Sequence, residues 1–217
     1  MTLNLLIGNK AYSSWSLRAW LLLKQFDIAF EESLVPLYGP ESKEKLLAFS
    51  PAGKVPALRC DEILVWESLA IVEFIAERFS DLAIWPRDPA ARALARSLSA
   101  EMHSGFTALR GEYPTNFRRA PRAIASPSPA AAADIARIDA AWRNARERFG
   151  AHGPFLFGEF SAADAMFAPV VCRFSTYLLD VSSQAQDYMR AIEALPAYRE
   201  WVESGRAEPW TLEKFEK

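Results

Sequence analysis

Three short segments bring together residue types whose spacing could do chemistry. The first is Tyr12-Ser13-Ser14-Trp15-Ser16-Leu17-Arg18, at the expected start of a helix. A helix N-terminus presents free backbone N–H groups, and its dipole favours negative charge. A hydroxyl placed there can donate to a thiolate and so favour the ionised thiol. Lowering a thiol from about 8.5 to about 6.5 takes on the order of 2.7 kcal/mol. One charge-assisted hydrogen bond plus a helix terminus can supply that. The same serines would also serve as ordinary helix caps.

The second segment is Lys54-Val55-Pro56. A proline at a strand entrance can carry a cis bond that turns the preceding N–H and C=O outward, where an extended peptide could pair with them. Lys54 beside them could meet a carboxylate. A trans proline opening an edge strand is the other reading. The third segment is Glu67-Ser68. Ser68 and the N–H groups behind it suit a carboxylate, and Glu67 suits an ammonium. Alone, the pair would also be a plain N-cap. Together the three segments would hold an amino-acid head, a short peptide backbone and a thiol.

The elements that must position these segments begin with Leu3 to Ile7, a short apolar run expected as a buried strand. A helix is expected over Ser14 to Phe26 and a strand over Phe30 to Val35, which makes a βαβ unit with parallel strands. Ser42 to Phe49 reads as a short helix. Val55 to Arg59 and Ile63 to Trp66 read as a hairpin around Cys60-Asp61-Glu62, and Ser68 to Phe79 as a helix. That order describes an α/β thioredoxin-like domain over residues 1–80. Residues 81–89, with Pro86 and Pro89, are expected to be a linker.

Residues 90–217 are expected to form an all-α domain. One long helix is expected from Ala90 to Tyr113, then a loop from Pro114 to Pro129 with four prolines. Ser128-Pro129 should start a helix that runs to Phe149, with Gly150 as a left-handed cap. Ser161-Ala-Ala-Asp164 has capping-box spacing, and Pro196 opens a last helix that includes Trp201. The tail from Arg206 to Lys217 carries Trp210 and Phe215, and nothing in its pattern places it.

The chain has 217 residues, 51% hydrophobic and 24% charged, with a formal charge of -2. That balance carries no polyanion footprint, so nucleic acid is not an expected partner. No apolar stretch approaches the ~20 residues of a membrane span. Cys60 and Cys172 lack metal-site spacing and cannot make a disulfide framework, so a reduced, cytoplasmic setting is expected. The sequence has no GxGxxG, P-loop, HExxH or GxSxG motif.

The serine-rich helix start, Ser50-Pro-Ala-Gly-Lys-Val-Pro-Ala-Leu58 and Glu67-Ser-Leu-Ala-Ile-Val-Glu-Phe-Ile75 resemble the three glutathione-site segments of cytosolic glutathione transferases, and Phe160-Ser-Ala-Ala-Asp164 resembles that family's C-domain capping box. The resemblance covers the whole chain and is closest to the serine-type classes, zeta in particular. It implies glutathione as co-substrate, a homodimer, no metal, and a pocket for an apolar electrophile between the domains, the chemistry of detoxification. Lys54, Val55, Pro56, Glu67 and Ser68 would hold glutathione. A zeta-like register makes Ser13 the thiol-activating residue. A theta-like count back from Arg18 makes it Ser14, and other classes use a tyrosine, here Tyr12. The segment has no cysteine, unlike the beta- and omega-like classes, and Trp15 stands where zeta patterns usually have one. The same resemblance lines the electrophile pocket with Tyr12, Met102, Phe106, Arg110 and Tyr113, the last four at spacings that share a helix face; the other reading puts Met102, Phe106 and Tyr113 in the core and leaves Arg110 as a solvated charge. Conjugation, glutathione-dependent cis–trans isomerisation and a non-catalytic glutathione-binding module are the three functions it allows.

Overall fold

The computed structural model describes residues 2–216. Four strands, β1 (Leu3–Ile7), β2 (Glu31–Leu34), β3 (Ala57–Cys60) and β4 (Ile63–Trp66), form one sheet in the order β2-β1-β3-β4. β1 and β2 are parallel, with Leu5 opposite Glu32, and are joined through α1 (Ser14–Gln25). β3 runs antiparallel to both neighbours, placing Leu5 opposite Leu58 and Leu58 opposite Val65. α2 (Ser42–Phe49) precedes β3, and α3 (Ser68–Arg78) follows β4. Six further helices follow: α4 (Pro89–Ser104), α5 (Thr107–Glu112), α6 (Pro129–Phe149), α7 (Ala162–Tyr177), α8 (Ser183–Ala194) and α9 (Pro196–Ala207). Among the described residues no helix is long and apolar enough to cross a membrane.

The core runs through both halves because two helices are apolar on nearly every face. Residues 16–23 of α1 are all buried, as is most of α7. A helix apolar all round must be covered all round. α1 is covered by the sheet and α3 on one side and by α7 on the other. Each of these helices carries one arginine inside an apolar run, Arg18 and Arg173, and both are buried.

Local chemistry explains the helix starts. Ser13, Asp88, Ser128 and Ser182 each accept a backbone N–H with their side chains at the starts of α1, α4, α6 and α8. Pro89 and Pro129 occupy first-turn positions where no N–H is needed. At the start of α7, Asp164 accepts from the Ser161 N–H at 2.8 Å and the Leu156 N–H at 3.1 Å. It is fully buried, and burial raises its pKa to about 6.

Two expectations need correction. The helix expected from Ala90 to Tyr113 is two helices, broken at Gly105-Phe106. Phe106 has φ 57, in the left-handed region, so the chain turns and its ring enters the core. Gly150 ends α6 at φ -88 rather than in a left-handed cap. A Cβ there would lie 2.7 Å from the Arg146 carbonyl oxygen, so close approach is what requires glycine. α8, capped by Ser182, occupies a stretch to which the sequence pattern assigned no element.

Candidate active site

A cleft of about 1010 Å³ opens between the ends of α1 and α3 on one side and α4, α5 and the loop after α5 on the other. Ser13, Ser14, Lys54, Val55 and Glu67 all line it, so residues up to 54 positions apart in sequence share one wall. The Val55–Pro56 bond is cis, and Pro56 is buried behind Val55.

Ser13 caps α1 and is only 5% exposed. Its Oγ accepts from the Ser16 N–H at 3.3 Å and lies 2.8 Å from Ser16 Oγ, a hydrogen bond that either hydroxyl can donate. Ser16 Oγ in turn accepts from the Gly8 N–H at 3.0 Å. A hydroxyl donates one hydrogen and accepts two, and its rotor turns to suit its partners. If Ser16 donates to Ser13, both acceptor positions of Ser13 are filled and its own hydrogen is free to point into the cleft. Ser14, half-buried, lines the cleft with no such support for its hydroxyl.

Tyr12 also lines the cleft, but its hydroxyl is committed to the C-terminal tail. It donates to Glu216 Oε1 at 2.6 Å and accepts from the Leu212 N–H at 3.3 Å. Burial, then Glu216, raises its pKa. The tail thus folds back over the cleft mouth, stacking Phe215 on Tyr12 with centroids 5.5 Å apart.

Glu67 stands at the N-cap of α3 with φ 70, a conformation costly for a residue with a Cβ. Its carboxylate faces the cleft, 3.7 Å from His103 Nε2. Ser68 is fully buried behind it, and its Oγ has no hydrogen bond among the described residues. An orphaned hydroxyl beside the free N–H groups of α3 fits an incoming carboxylate.

The opposite wall differs from the expectation. Of the four residues expected to share a helix face, only Arg110 reaches the cleft. Met102 and Phe106 are in the core. Tyr113 is 1% exposed and donates to the Ala125 carbonyl at 3.0 Å, away from the cleft. The break at Phe106 rotates α5 relative to α4, and the common face is lost.

Besides Arg110, this part of the cleft is built from residues that had no expected pocket role. Trp15 is flanked by two guanidiniums, Arg18 at 4.3 Å and Arg110 at 4.6 Å from its ring, and His103 packs edge-on at 5.2 Å. Arg173 lines the cleft and is held by the Tyr113 carbonyl at 2.9 Å and the Pro169 carbonyl at 3.1 Å. Burial drives the Arg18 pKa down strongly, brings Arg173 to about 10 and lowers Arg110. Burial, then Arg18, lowers His103, which is therefore neutral at pH 7. Among the described lining residues, Lys43, Lys54, Arg110 and Arg173 face one carboxylate, Glu67. One sequence signal could have found Arg18 and Arg173: each is a charge inside a run otherwise apolar on all sides. Among the described residues no group of three or more His, Cys, Asp or Glu is placed to hold a metal ion.

Two family models match the chain: glutathione S-transferase, N-terminal domain, over residues 12–78, and glutathione S-transferase, C-terminal domain, over residues 128–204. The chain belongs to the glutathione S-transferase family. Among curated relatives, a "Probable maleylacetoacetate isomerase" of Caenorhabditis elegans is 41% identical over 96 residues, 44% of each chain. The maleylacetoacetate isomerase of Rattus norvegicus is 34% identical over 97 residues, 44% of this chain and 45% of its own. The aligned stretch thus spans less than half the length of these relatives. Among solved structures, a glutathione transferase homolog from Burkholderia gl BGR1 with bound glutathione is 25% identical with a TM-score of 0.73, covering 96% of this chain and 100% of that one.

Proposed function

We propose that the protein is a glutathione transferase that binds glutathione on the wall formed by residues 1–80 and activates its thiol with Ser13. The observation that carries this is the Gly8–Ser16–Ser13 hydrogen-bond chain, which ends on a buried hydroxyl facing the cleft at the start of α1. Lys54 would meet one carboxylate of glutathione. Ser68 and the α3 N-terminus would meet the other, Glu67 the ammonium, and Val55 the cysteinyl backbone. The Ser13 hydroxyl would donate to the sulfur, so that the proton leaves to solvent and the thiolate persists at neutral pH. The sulfur lone pair then forms a bond to an electrophilic carbon, and the leaving group departs with its electron pair. Tyr12, with its hydroxyl held by Glu216, serves as a wall and not as the activator.

A second reading is favoured by the charge on the opposite wall. Arg110 and Arg173 would hold an acceptor that carries a carboxylate, and the relatives named maleylacetoacetate isomerase fall in line with that chemistry. In isomerisation the thiolate adds to a conjugated carbon, the former double bond rotates, and the same C–S bond breaks to return the thiolate. Glutathione is not consumed, and that separates the two readings.

We further read the protein as a cytoplasmic homodimer. The β4 edge exposes Ile63 (54%) and Trp66 (42%), and Cys60 and Cys172 are unpaired. A monomeric mass in sedimentation would remove the dimer from this reading.

Following thiolate absorbance of bound glutathione against pH tests the main reading. In the wild type the thiol should titrate well below its free value. Ser13→Ala should return it toward about 8.5, whereas Ser14→Ala should leave it low. A restored value in Ser14→Ala alone would move the role to Ser14. An unperturbed thiol in all three proteins would leave only a binding module.

A further inference from the structure

The loop between β1 and α1, residues 8–13, ends on Ser13 and is held by the far end of the chain. It turns on one acceptor: the N–H groups of Tyr12 and Ser13 both donate to the Asn9 carbonyl, at 3.2 and 2.8 Å. The N–H groups of Lys10 and Ala11 take no part in that turn. Glu208, which follows directly on α9, accepts both. Lys10 N–H donates to its Oε1 at 2.7 Å and Ala11 N–H to its Oε2 at 3.1 Å, across 198 and 197 positions of sequence.

This clamp is buried and closely fitted. Glu208 is a buried carboxylate, and a carboxylate holds a backbone N–H roughly twice as strongly as a neutral acceptor does. One oxygen on each N–H fixes two successive peptide planes against the end of α9. Gly205 lets the helix come that near: a Cβ there would stand 3.0 Å from the Ala11 nitrogen and from the Lys10 carbonyl carbon. The Lys10 ammonium is engaged by Glu32 at 2.8 Å, so what Glu208 holds is the backbone. The remaining ties of the loop are to its acceptors, with Phe117 N–H donating to the Ala11 carbonyl at 2.9 Å and Leu37 N–H to Asn9 Oδ1 at 2.7 Å. They offer nothing to the two N–H groups. Without Glu208 both donors would be left unpaired away from water, and the loop would have to shift to satisfy them.

We propose that Glu208 is a positioning residue for thiol activation: its carboxylate fixes the Lys10–Ala11 backbone so that Ser13, two residues on, presents its hydroxyl to the sulfur of bound glutathione. The proposal rests on Ser13 being the thiol-activating residue. Glu208 is not among the residues that line the cleft, so it acts through the loop and not on the ligand. The sign of its effect separates this role from plain electrostatics. A carboxylate near a thiol favours the neutral form, so loss of its charge alone would lower the thiol pKa. Displacement of the Ser13 hydroxyl raises it.

The test follows thiolate absorbance of bound glutathione against pH in the full chain, for wild type, Ser13→Ala, Glu208→Leu and Glu208→Gln. Glu208→Leu removes both acceptors and should raise the bound thiol's pKa by about one unit, a tenfold loss of thiolate at any pH below it. Glu208→Gln keeps one acceptor oxygen and sets an amide NH2 against the other N–H, and should cost about threefold in thiolate. In both variants kcat with a neutral acceptor should fall by the same factor at low pH, with KM for glutathione within about twofold of wild type, because Lys54, Val55 and Glu67 lie on other segments. If Glu208→Leu does not fold, Glu208→Gln carries the test. A thiol moved by Ser13→Ala but unmoved or lowered in the folded Glu208 variants overturns this proposal alone. A thiol unmoved by Ser13→Ala ends the Ser13 reading and this proposal with it.

Discussion

The two walls of the cleft are made in different ways. The wall from residues 1–80 is assembled from three segments, each carrying its own chemistry at a helix or strand start. Its geometry is local: Ser13 caps the helix it begins, and Glu67 stands at the N-cap of the next. The opposite wall has no such segment. Arg110 comes from α5, His103 from α4, Arg173 from the middle of α7 and Phe215 from the tail. It exists only because an apolar helix pair, α1 against α7, brings those elements together. A wall of local motifs should keep one ligand constant, whereas a wall of packed helices can change its lining with small shifts in packing.

The largest expected effect lies in the helical half, at the start of α7. Asp164 is raised from 3.8 to about 6 by burial, so the native state holds its proton more tightly than the unfolded chain does. Its contribution is fully present below about pH 4 and is lost as pH rises through 6. Asp164→Asn removes that dependence. The stability difference between variant and wild type should shift in the variant's favour by on the order of 3 kcal/mol between pH 4 and pH 7. Urea midpoints at the two pH values measure it, and parallel curves would refute it.

A smaller effect is expected at the opposite wall of the cleft. Arg110→Met should raise KM for an acceptor bearing a carboxylate about tenfold, roughly 1.4 kcal/mol, and leave KM for glutathione and for a neutral acceptor within about twofold. Equal losses with charged and neutral acceptors would show that Arg110 acts only by packing on Trp15. The smallest change is at the tail. Phe215→Ala should alter KM for bulky acceptors about threefold, through lost apolar contact, with the pKa of the bound thiol unchanged. A shifted thiol pKa would place Phe215 on the glutathione side of the cleft.

The same division governs what could be read from the chain. The strand and helix order through Arg78 was legible because each element carries its own signal: an apolar run, a cap, or a proline at an entrance. The helical half was legible in outline only. The break at Gly105-Phe106 escaped because periodic spacing continues across it, and a single glycine in a helix costs only about 1 kcal/mol. A left-handed phenylalanine has no sequence signature. Helical spacing therefore left Met102, Phe106 and Tyr113 open to a pocket or a core reading, and the structure puts all three in the core.

The sequence alone carried the family resemblance, the order of elements through Arg78 and the grouping of Ser13, Ser14, Lys54, Val55 and Glu67, which share the cleft, because caps, helix dipoles and strand entrances act within a few residues of one another. Tertiary structure alone decided that Ser16 backs Ser13, that Tyr12 is held by the tail, and that Trp15 lies between Arg18 and Arg110. Those contacts join residues as far apart as 204 positions. What brings them together is the burial of α1 and α7 against each other, a non-local effect that no short stretch of sequence encodes.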